Sequence, residues 1–277
     1  MHARTIPPDA PPWRPSAFLL GSMLLHGLAL VGLVADPAAL WTWSLGLVAI
    51  NQAAITLACV FPRSGLLGPV VSRLPPGSVQ RREVAITIDD GPDPEVTPQL
   101  LGILARHGAV ATFFCIGRKA LEHPELVQAI LRAGHSIENH GQNHRFWMAF
   151  TGPASWRREV QDGQSTITAA TGRPPRFFRA LAGIRNPFTD PVLHAAGLRL
   201  VSWSRRGYDT QDGDAAAVLA RLSRDLGAGD VLLLHDGNCA RTRGGAPVVL
   251  EVLPRLLDRF EALGLRTVTL DQAFHGR

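Results

Sequence analysis

The chain has 277 residues, enough for one large domain or a domain plus a smaller element, with a substantial core. It carries 28 basic and 23 acidic side chains, a formal net charge of +5. The arginines are scattered rather than grouped with aromatics on one element, and no nucleic-acid-binding module is recognisable. Nucleic acid is therefore excluded as the expected partner, and a basic face near anionic lipid headgroups accounts for the charge.

Residues 16–61 hold a single charged side chain, Asp36. Within them Ala17 to Ala35 is an apolar run long enough to cross a bilayer as a helix, and Ala39 to Phe61 is a second, flanked by Trp41 and Trp43. The pattern predicts a tail (1–15) followed by a transmembrane helical hairpin (16–61), making the protein a multi-pass membrane protein. A cleaved signal peptide is the rival reading of the first run, which is long for that role and is followed at once by another. His26, Asn51 and Gln52 are expected to hydrogen-bond between the two helices. Arg4 and Arg14 precede the hairpin, Arg63, Arg73, Arg81 and Arg82 follow it, and the connection around Asp36 has no basic residue. The positive-inside rule then places both ends, and the domain that follows, in the cytoplasm.

Residues 62–82, rich in Pro and Gly, read as a linker, and the main domain spans 83–277. From Glu83 short apolar runs alternate with helical patterns. Strands are expected at 84–88, 111–116, 136–140, 176–179, 199–204, 230–235 and 266–270. Helices are expected at 95–107, 119–133, 155–171, 188–196, 214–226 and 247–263. Seven such units predict an α/β fold, a (β/α) barrel, with a doubly wound open sheet as the alternative, although no Gly-rich phosphate loop follows the first strand. Cys59, Cys115 and Cys239 have no paired or zinc-finger spacing and are expected as free thiols.

In a barrel the C-terminal strand ends share one rim, and the polar residues gather there. The first strand ends in Asp89-Asp90, the third in Asn139-His140, the fourth in Arg179 and the sixth in His235-Asp236, while the fifth leads to Asp209. Adjacent Asp residues on a turn point different ways, so one can hold a metal while the other handles protons; the alternative is a plain turn. His140 and His144, four apart, fall on one side of a helical turn. Two His and one Asp with positions left open describe a hydrolytic zinc site rather than a closed structural one. Trp203 reads as core, Asp209 as a site residue or a solvated turn residue, and Arg205 and Arg206 as surface charge or as contacts for a phosphate or uronate. His107, His123, His135, His194 and His275 are given no role.

These motifs, spread over about residues 83–271, resemble the polysaccharide deacetylases of the NodB-homology type, carbohydrate esterase family 4. Thr87-Ile88-Asp89-Asp90-Gly91-Pro92 is similar to the family's first motif, whose first Asp is the base and whose second binds metal. Asn139-His140-Gly141-Gln142-Asn143-His144 resembles the second, the source of two His ligands, with Gly141 where Ser or Thr is usual. Phe178-Arg179-Ala180-Leu181-Ala182-Gly183 resembles the third, whose Arg contacts the base; Leu181 and Ala182 stand where Pro and an aromatic are common. Trp203 and Asp209 resemble parts of the fourth, with Thr210 where Trp is common. Leu233-Leu234-His235-Asp236 matches the fifth, whose His is the acid and whose Leu lines the acyl pocket.

The resemblance implies a distorted (β/α)7–8 barrel and a metal-dependent hydrolase that removes an N-linked acyl group, most simply acetyl, from an amino sugar. Asp89, His235, Arg179 and Asp209 would be catalytic. Asp90, His140 and His144 would hold a divalent ion, Zn2+ first and Co2+, Ni2+ or Mn2+ as alternatives. Ala182, Leu233 and Trp203 would contact substrate. Expected partners are an N-acylated sugar polymer or a lipid-linked glycan, together with membrane lipid. Two alternatives are a deformylase or deacylase of a lipid-linked sugar precursor, and a non-catalytic carbohydrate-binding homologue.

Overall fold

The structure, a computed structural model, describes residues 12–275; Arg4, the remainder of the first eleven residues, the last two residues and the side chain of His275 lie outside the described residues. Two long helices come first, α1 (Ala17–Ala35) and α2 (Pro37–Val60), both long and apolar enough to cross a membrane. The break between them is local chemistry. The Asp36 carboxylate accepts the Ala39 N–H (3.0 Å) as an N-cap, and Pro37 opens α2 where its missing N–H costs nothing. Asn51 Nδ2 donates to Ser22 Oγ (2.6 Å) and lies 3.2 Å from His26 Nδ1, the interhelical bonding expected of those residues. Gln52 takes no part, its side chain being exposed.

Eight parallel strands follow: β1 (Glu83–Gly91), β2 (Ala111–Cys115), β3 (Ser136–Asn139), β4 (Phe177–Phe178), β5 (Arg199–Leu200), β6 (Arg205–Arg206), β7 (Val231–His235) and β8 (Arg266–Thr267). The sheet runs β5-β4-β3-β2-β1-β7-β6, with β8 beside β1. The expected strand 199–204 is formed only at its start, as β5, and β6 begins just past its end, at the opposite end of the path. Their separation in sequence dictates the shape. Only residues 201–204 lie between β5 and β6, a reach of about 17 Å fully extended, whereas seven strands laid flat would span roughly 29 Å. The sheet must curl into a distorted half-barrel, which rules out the open doubly wound alternative. The rest of the gap is filled by the stretch read as a linker. Val71 bridges to Val201 and Arg73 to Asp230, while Leu67 and Leu74 are buried. Residues 62–82 are therefore in part a stave of the barrel, and they carry a short helix, α3 (Pro76–Gln80).

The outer layer comprises α4 (Thr97–Arg106), α5 (Gly117–Glu122), α6 (Pro124–Arg132), α7 (Pro153–Thr171), α8 (Thr189–Ala195), α9 (Ala215–Ser223), α10 (Val248–Ala262) and α11 (Leu270–His275). The helix expected over 119–133 is divided at His123 by Pro124, which opens α6 at its first position. Strand alternation divides the core. Val84, Ile86 and Ile88 face the helices with Leu100, Leu104 and Leu253, whereas Ala85 faces the barrel interior with Phe114, Phe177 and Val231. Truncating Ile88 to Ala costs about 2–5 kcal/mol on this packing. The three cysteines are free, as expected.

Candidate active site

The inward column of β1 runs Ala85, Thr87, Asp89, so alternation alone carries one carboxylate to the interior at the rim. Arg179, at the end of β4 and fully buried, meets it there. Its Nη1 donates to Asp89 Oδ1 (2.6 Å) and Thr87 Oγ1 (2.8 Å), its Nη2 donates to Ser202 O (2.9 Å), and its guanidinium lies 4.2 Å from the Phe114 ring centre. Such a cation is tolerable in the interior because Asp89 matches its charge.

Asp90 should face the other way, yet it also reaches the site. The ladder to β2 pairs Asp89 with Phe114 and Gly91 with Cys115, leaving Asp90 as an extra residue with φ 74°. This β-bulge resets the alternation, and both carboxylates converge, contrary to the expectation that they diverge. Asp90 Oδ1 is 2.9 Å from His144 Nε2 and 3.2 Å from His140 Nε2, while Asp89 Oδ2 is 3.8 Å from His140 Nε2. Lys119, the chain's one lysine, donates to the Asp90 carbonyl (2.7 Å), and Asn238 Nδ2 to Asp90 Oδ2 (3.2 Å).

The two histidines do not share a helical turn, because residues 140–145 form an irregular loop. Positive φ angles at Gly141 (82°) and His144 (56°) fold it, bringing the imidazole centres to 4.7 Å. Its anchor is Glu159 on α7, a residue the sequence reading passed over. The buried Glu159 carboxylate accepts the N–H groups of Asn143 (2.6 Å) and His144 (2.8 Å) through Oε1. A side chain at Gly141 would place its Cβ 2.8 Å from that same oxygen. Glycine at 141 and glutamate at 159 are therefore one device.

The donor set fits a divalent cation. Asp90, His140 and His144 offer ligand atoms all within 4.8 Å of one another. His140 Nδ1 lies 2.8 Å from the Arg179 carbonyl, so Nδ1–H donates there and Nε2 turns its lone pair toward Asp90 Oδ1. A lone pair and a carboxylate oxygen 3.2 Å apart repel unless a proton or cation stands between them. Burial pushes the Asp90 carboxyl up, but when no cation is bound and the His140 and His144 imidazoles are protonated, their hydrogen bonds outweigh it and hold it well below the usual carboxylate range.

Opposite stands His235, paired in register with Asp89 across β1 and β7. Fully buried Asp209 accepts both its backbone N–H (2.8 Å) and its Nδ1–H (2.9 Å), so Asp209 is not a solvated turn residue. Burial alone would lower the imidazole pKa; the Asp209 carboxylate more than reverses this and raises it to about 9. Asp236 turns away to accept Thr97 Oγ1 (2.6 Å) and the Gly237 N–H (2.9 Å). It packs so closely on Gly91 that any side chain there would collide with it.

Leu233 is buried beneath His235, level with Thr87. Trp203 is buried as well, with the Arg179 and Arg206 guanidinium carbons 5.9 and 5.1 Å from its ring centre. Ala182 is exposed on the rim in the 3-10 turn Leu181–Gly183, at φ 51°. Beside the histidines a narrow open cleft is lined by His140, His144, Phe146, Met148, Leu181 and Ile184. Arg205 is spent on structure, its guanidinium holding Asp230 (3.0 Å) and the carbonyls of Arg224 and Asp225, which removes it as a ligand contact.

Residues 77–201 match the family model described as polysaccharide deacetylase. A peptidoglycan-N-acetylglucosamine deacetylase of Bacillus cereus is 31% identical over 191 residues, 68% of this chain and 86% of the relative. A chitooligosaccharide deacetylase of Azorhizobium caulinodans is 34% identical over 192 residues, 65% of this chain and 89% of the relative. Among solved structures, the Bc1960 peptidoglycan N-acetylglucosamine deacetylase superposes with a TM-score of 0.67 at 26% identity, over 75% of this chain and 94% of that one. Sequence, fold and the convergence of motifs at one rim agree: the chain belongs to the polysaccharide deacetylase family, carbohydrate esterase family 4 of the NodB type, and is a hydrolase of non-peptide carbon–nitrogen bonds.

Proposed function

We propose that this chain removes the N-acetyl group from N-acetylglucosamine units of a glycan polymer. One observation carries the reading: Asp89 held by Arg179 and His235 held by Asp209, register partners across β1 and β7, stand at the same rim as the Asp90, His140 and His144 donor trio. A divalent cation held by those three, Zn2+ first among candidates, would supply Lewis-acid polarisation of the acyl oxygen and of the attacking water. Asp89, held in place by Arg179, takes the water's proton. As the water oxygen bonds to the acyl carbon, a backbone N–H near Ala182 faces the developing oxyanion. The carbon–nitrogen bond then breaks while protonated His235 delivers its proton to the departing amine. Acetate and a free amino sugar leave, with Leu233 and Trp203 shaping the acyl end of the site. The test is metal content measured together with acetate or formate release from a panel of N-acyl sugars. Stoichiometric metal with acetate release from chitooligosaccharide or peptidoglycan fragments is expected, and binding without release would make this a non-catalytic homologue.

A second reading has its own support. Tail, hairpin, linker and deacetylase domain together describe a membrane-anchored enzyme. The side chains of α1 and α2 are mostly exposed apolar surface, unlike the core helices of a soluble protein. With basic residues outside the hairpin, the domain falls on the cytoplasmic side, where a lipid-linked sugar precursor carrying formyl or another small acyl group is the available substrate. A reporter fused to the C-terminus separates the two, since an external terminus eliminates the cytoplasmic precursor.

A further inference from the structure

Ten large apolar side chains outside α1 and α2 are exposed among the described residues. Six of them are not scattered. Phe61 and Leu66 follow α2, Phe146, Trp147 and Phe150 lie on the 3-10 turn Phe146–Phe150, and Phe188 precedes α8. These segments are tied into one surface. Arg185 donates its N–H to the Cys59 carbonyl at the end of α2 (3.2 Å) and its guanidinium to the Ser64 carbonyl, and Gly183 packs on Pro62. Asn186 Nδ2 donates to Ala149 O (3.0 Å) and Thr151 O (2.9 Å), and its Oδ1 accepts the Phe188 N–H (3.0 Å). The start of α1 meets the same place, through Trp13 Nε1 to Asp190 (2.7 Å) and through Leu19 packing with Ala58 and Leu67.

Both helix ends of the hairpin therefore dock on the rim that carries the third motif, and the aromatic turn lies beside them. Phe150 is 91% exposed and Phe146 75%, so the protein covers neither. Arg14, Arg63 and Arg145 are exposed on the same segments. Aromatics mixed with arginine at the base of apolar helices form the pattern of a membrane–water boundary. A glycan platform would instead set hydrogen-bonding groups around stacked rings; here Phe150 and Phe188 stand next to Ala149 and Pro187, and the Thr151 hydroxyl is turned to the Met148 carbonyl (2.7 Å).

We propose that Phe146, Trp147, Phe150 and Phe188 form a bilayer-facing surface that seats the catalytic cleft at the headgroup level, with the rings entering the boundary. This rests on the reading of α1 and α2 as membrane spans. Its consequence is a substrate class: glycan presented at the membrane face, since Phe146 belongs both to this surface and to the cleft wall.

The test uses the full chain in its membrane, with the photoreactive residue p-benzoylphenylalanine placed singly at Phe150, Phe188, Ile50 on α2, or Leu263 at the opposite end of the barrel. After irradiation, adduct masses identify the neighbour. Lipid adducts at 150 and 188 as abundant as at Ile50, with none at Leu263, are expected. Lipid adducts at Ile50 but protein or glycan adducts, or no adduct, at 150 and 188 overturn the proposal and leave the membrane anchor standing. Release of the chain by alkaline carbonate, with no lipid adduct at Ile50, overturns the anchor itself.

Discussion

Replacing Asp209 with Asn removes one negative charge and keeps the shape. The side-chain oxygen of Asn can still accept the His235 backbone N–H, so the strand end should stay in place. The imidazolium loses the charge that balances its burial. His235 stands at about 9 against an ordinary 6.5, a difference worth about 3 kcal/mol between its two protonation states. Asp89 and Asp90 also favour the imidazolium and remain, so the variant's pKa should fall toward 7 rather than all the way down. A general acid must be protonated to act. At pH 8 a group with pKa 9 is about nine-tenths protonated and one with pKa 7 about one-tenth, so the variant should lose roughly tenfold in kcat at that pH from protonation alone. The alkaline limb of acetate release from a chitooligosaccharide should move down by one to two pH units, roughly. A divalent cation lowers the imidazole pKa in wild type and variant alike, so the difference between the profiles is the readout. An alkaline limb that does not move in Asp209→Asn removes His235 as the acid. The same pair sets a stability term with a definite sign: a raised histidine stabilises fully below its unfolded value near 6.5, and this contribution is lost as pH rises through about 9.

Asp89→Asn should retain metal while turnover falls at least a hundredfold, whereas Asp90→Ala should lose both, metal content and acetate release being measured on one preparation. Glu159→Ala strips the acceptor from the Asn143 and His144 N–H groups; metal affinity should drop about 10–100-fold, and unchanged affinity would show that the loop holds itself. Gly141→Ser forces a side chain onto φ 82° and against Glu159, at a cost of about 1–3 kcal/mol in denaturant unfolding. Glu138 on β3 is pushed by burial to about 8, although the N–H groups of Arg176 and Phe177 oppose the shift. The folded chain therefore keeps a proton there that the unfolded chain releases near 4.5, and stability should fall as pH rises from there to 8. Glu138→Gln should flatten that slope in unfolding curves taken at pH 5 and 8.

Much of this was legible because the site is built from strand ends, and strand ends can be read from periodicity. The double Asp, Arg179 and His235 each close an apolar run, His140 directly follows β3, and parallel topology then sends every such end to one rim. Two kinds of information were out of reach. Strands of two residues, such as β5 and β6, carry no alternation to detect, so the early end of the strand begun at Arg199, the separate strand at 205–206 and the use of Val71 and Arg73 to fill the gap could not be foreseen. Glu159 is a helical Glu in an unremarkable pattern. Only its burial against two backbone N–H groups distinguishes it, and its one sequence signal is indirect, the Gly at 141 where a hydroxyl residue is usual.

The bulge at Asp90 shows why alternation along the strand misjudges the direction of the second carboxylate. In an unbroken strand Asp89 and Asp90 would face opposite sides of the sheet, and one carboxylate would be buried among Val84, Ile86 and Ile88. A lone carboxylate there would be neutralised or would unfold the strand, because a buried charge needs a partner. Slipping one residue out of the ladder costs a single pairing and places φ 74° on a residue type that tolerates it. In return two carboxylates reach one site from adjacent positions with different partners, Arg179 for Asp89 and two imidazoles for Asp90. Restoring the register should therefore separate base from ligand. Deleting either Asp of the pair would return the strand to regular pairing, and the shortened chain should keep one of the two functions at most. A deletion variant that both binds metal stoichiometrically and turns over would refute the division of labour between Asp89 and Asp90.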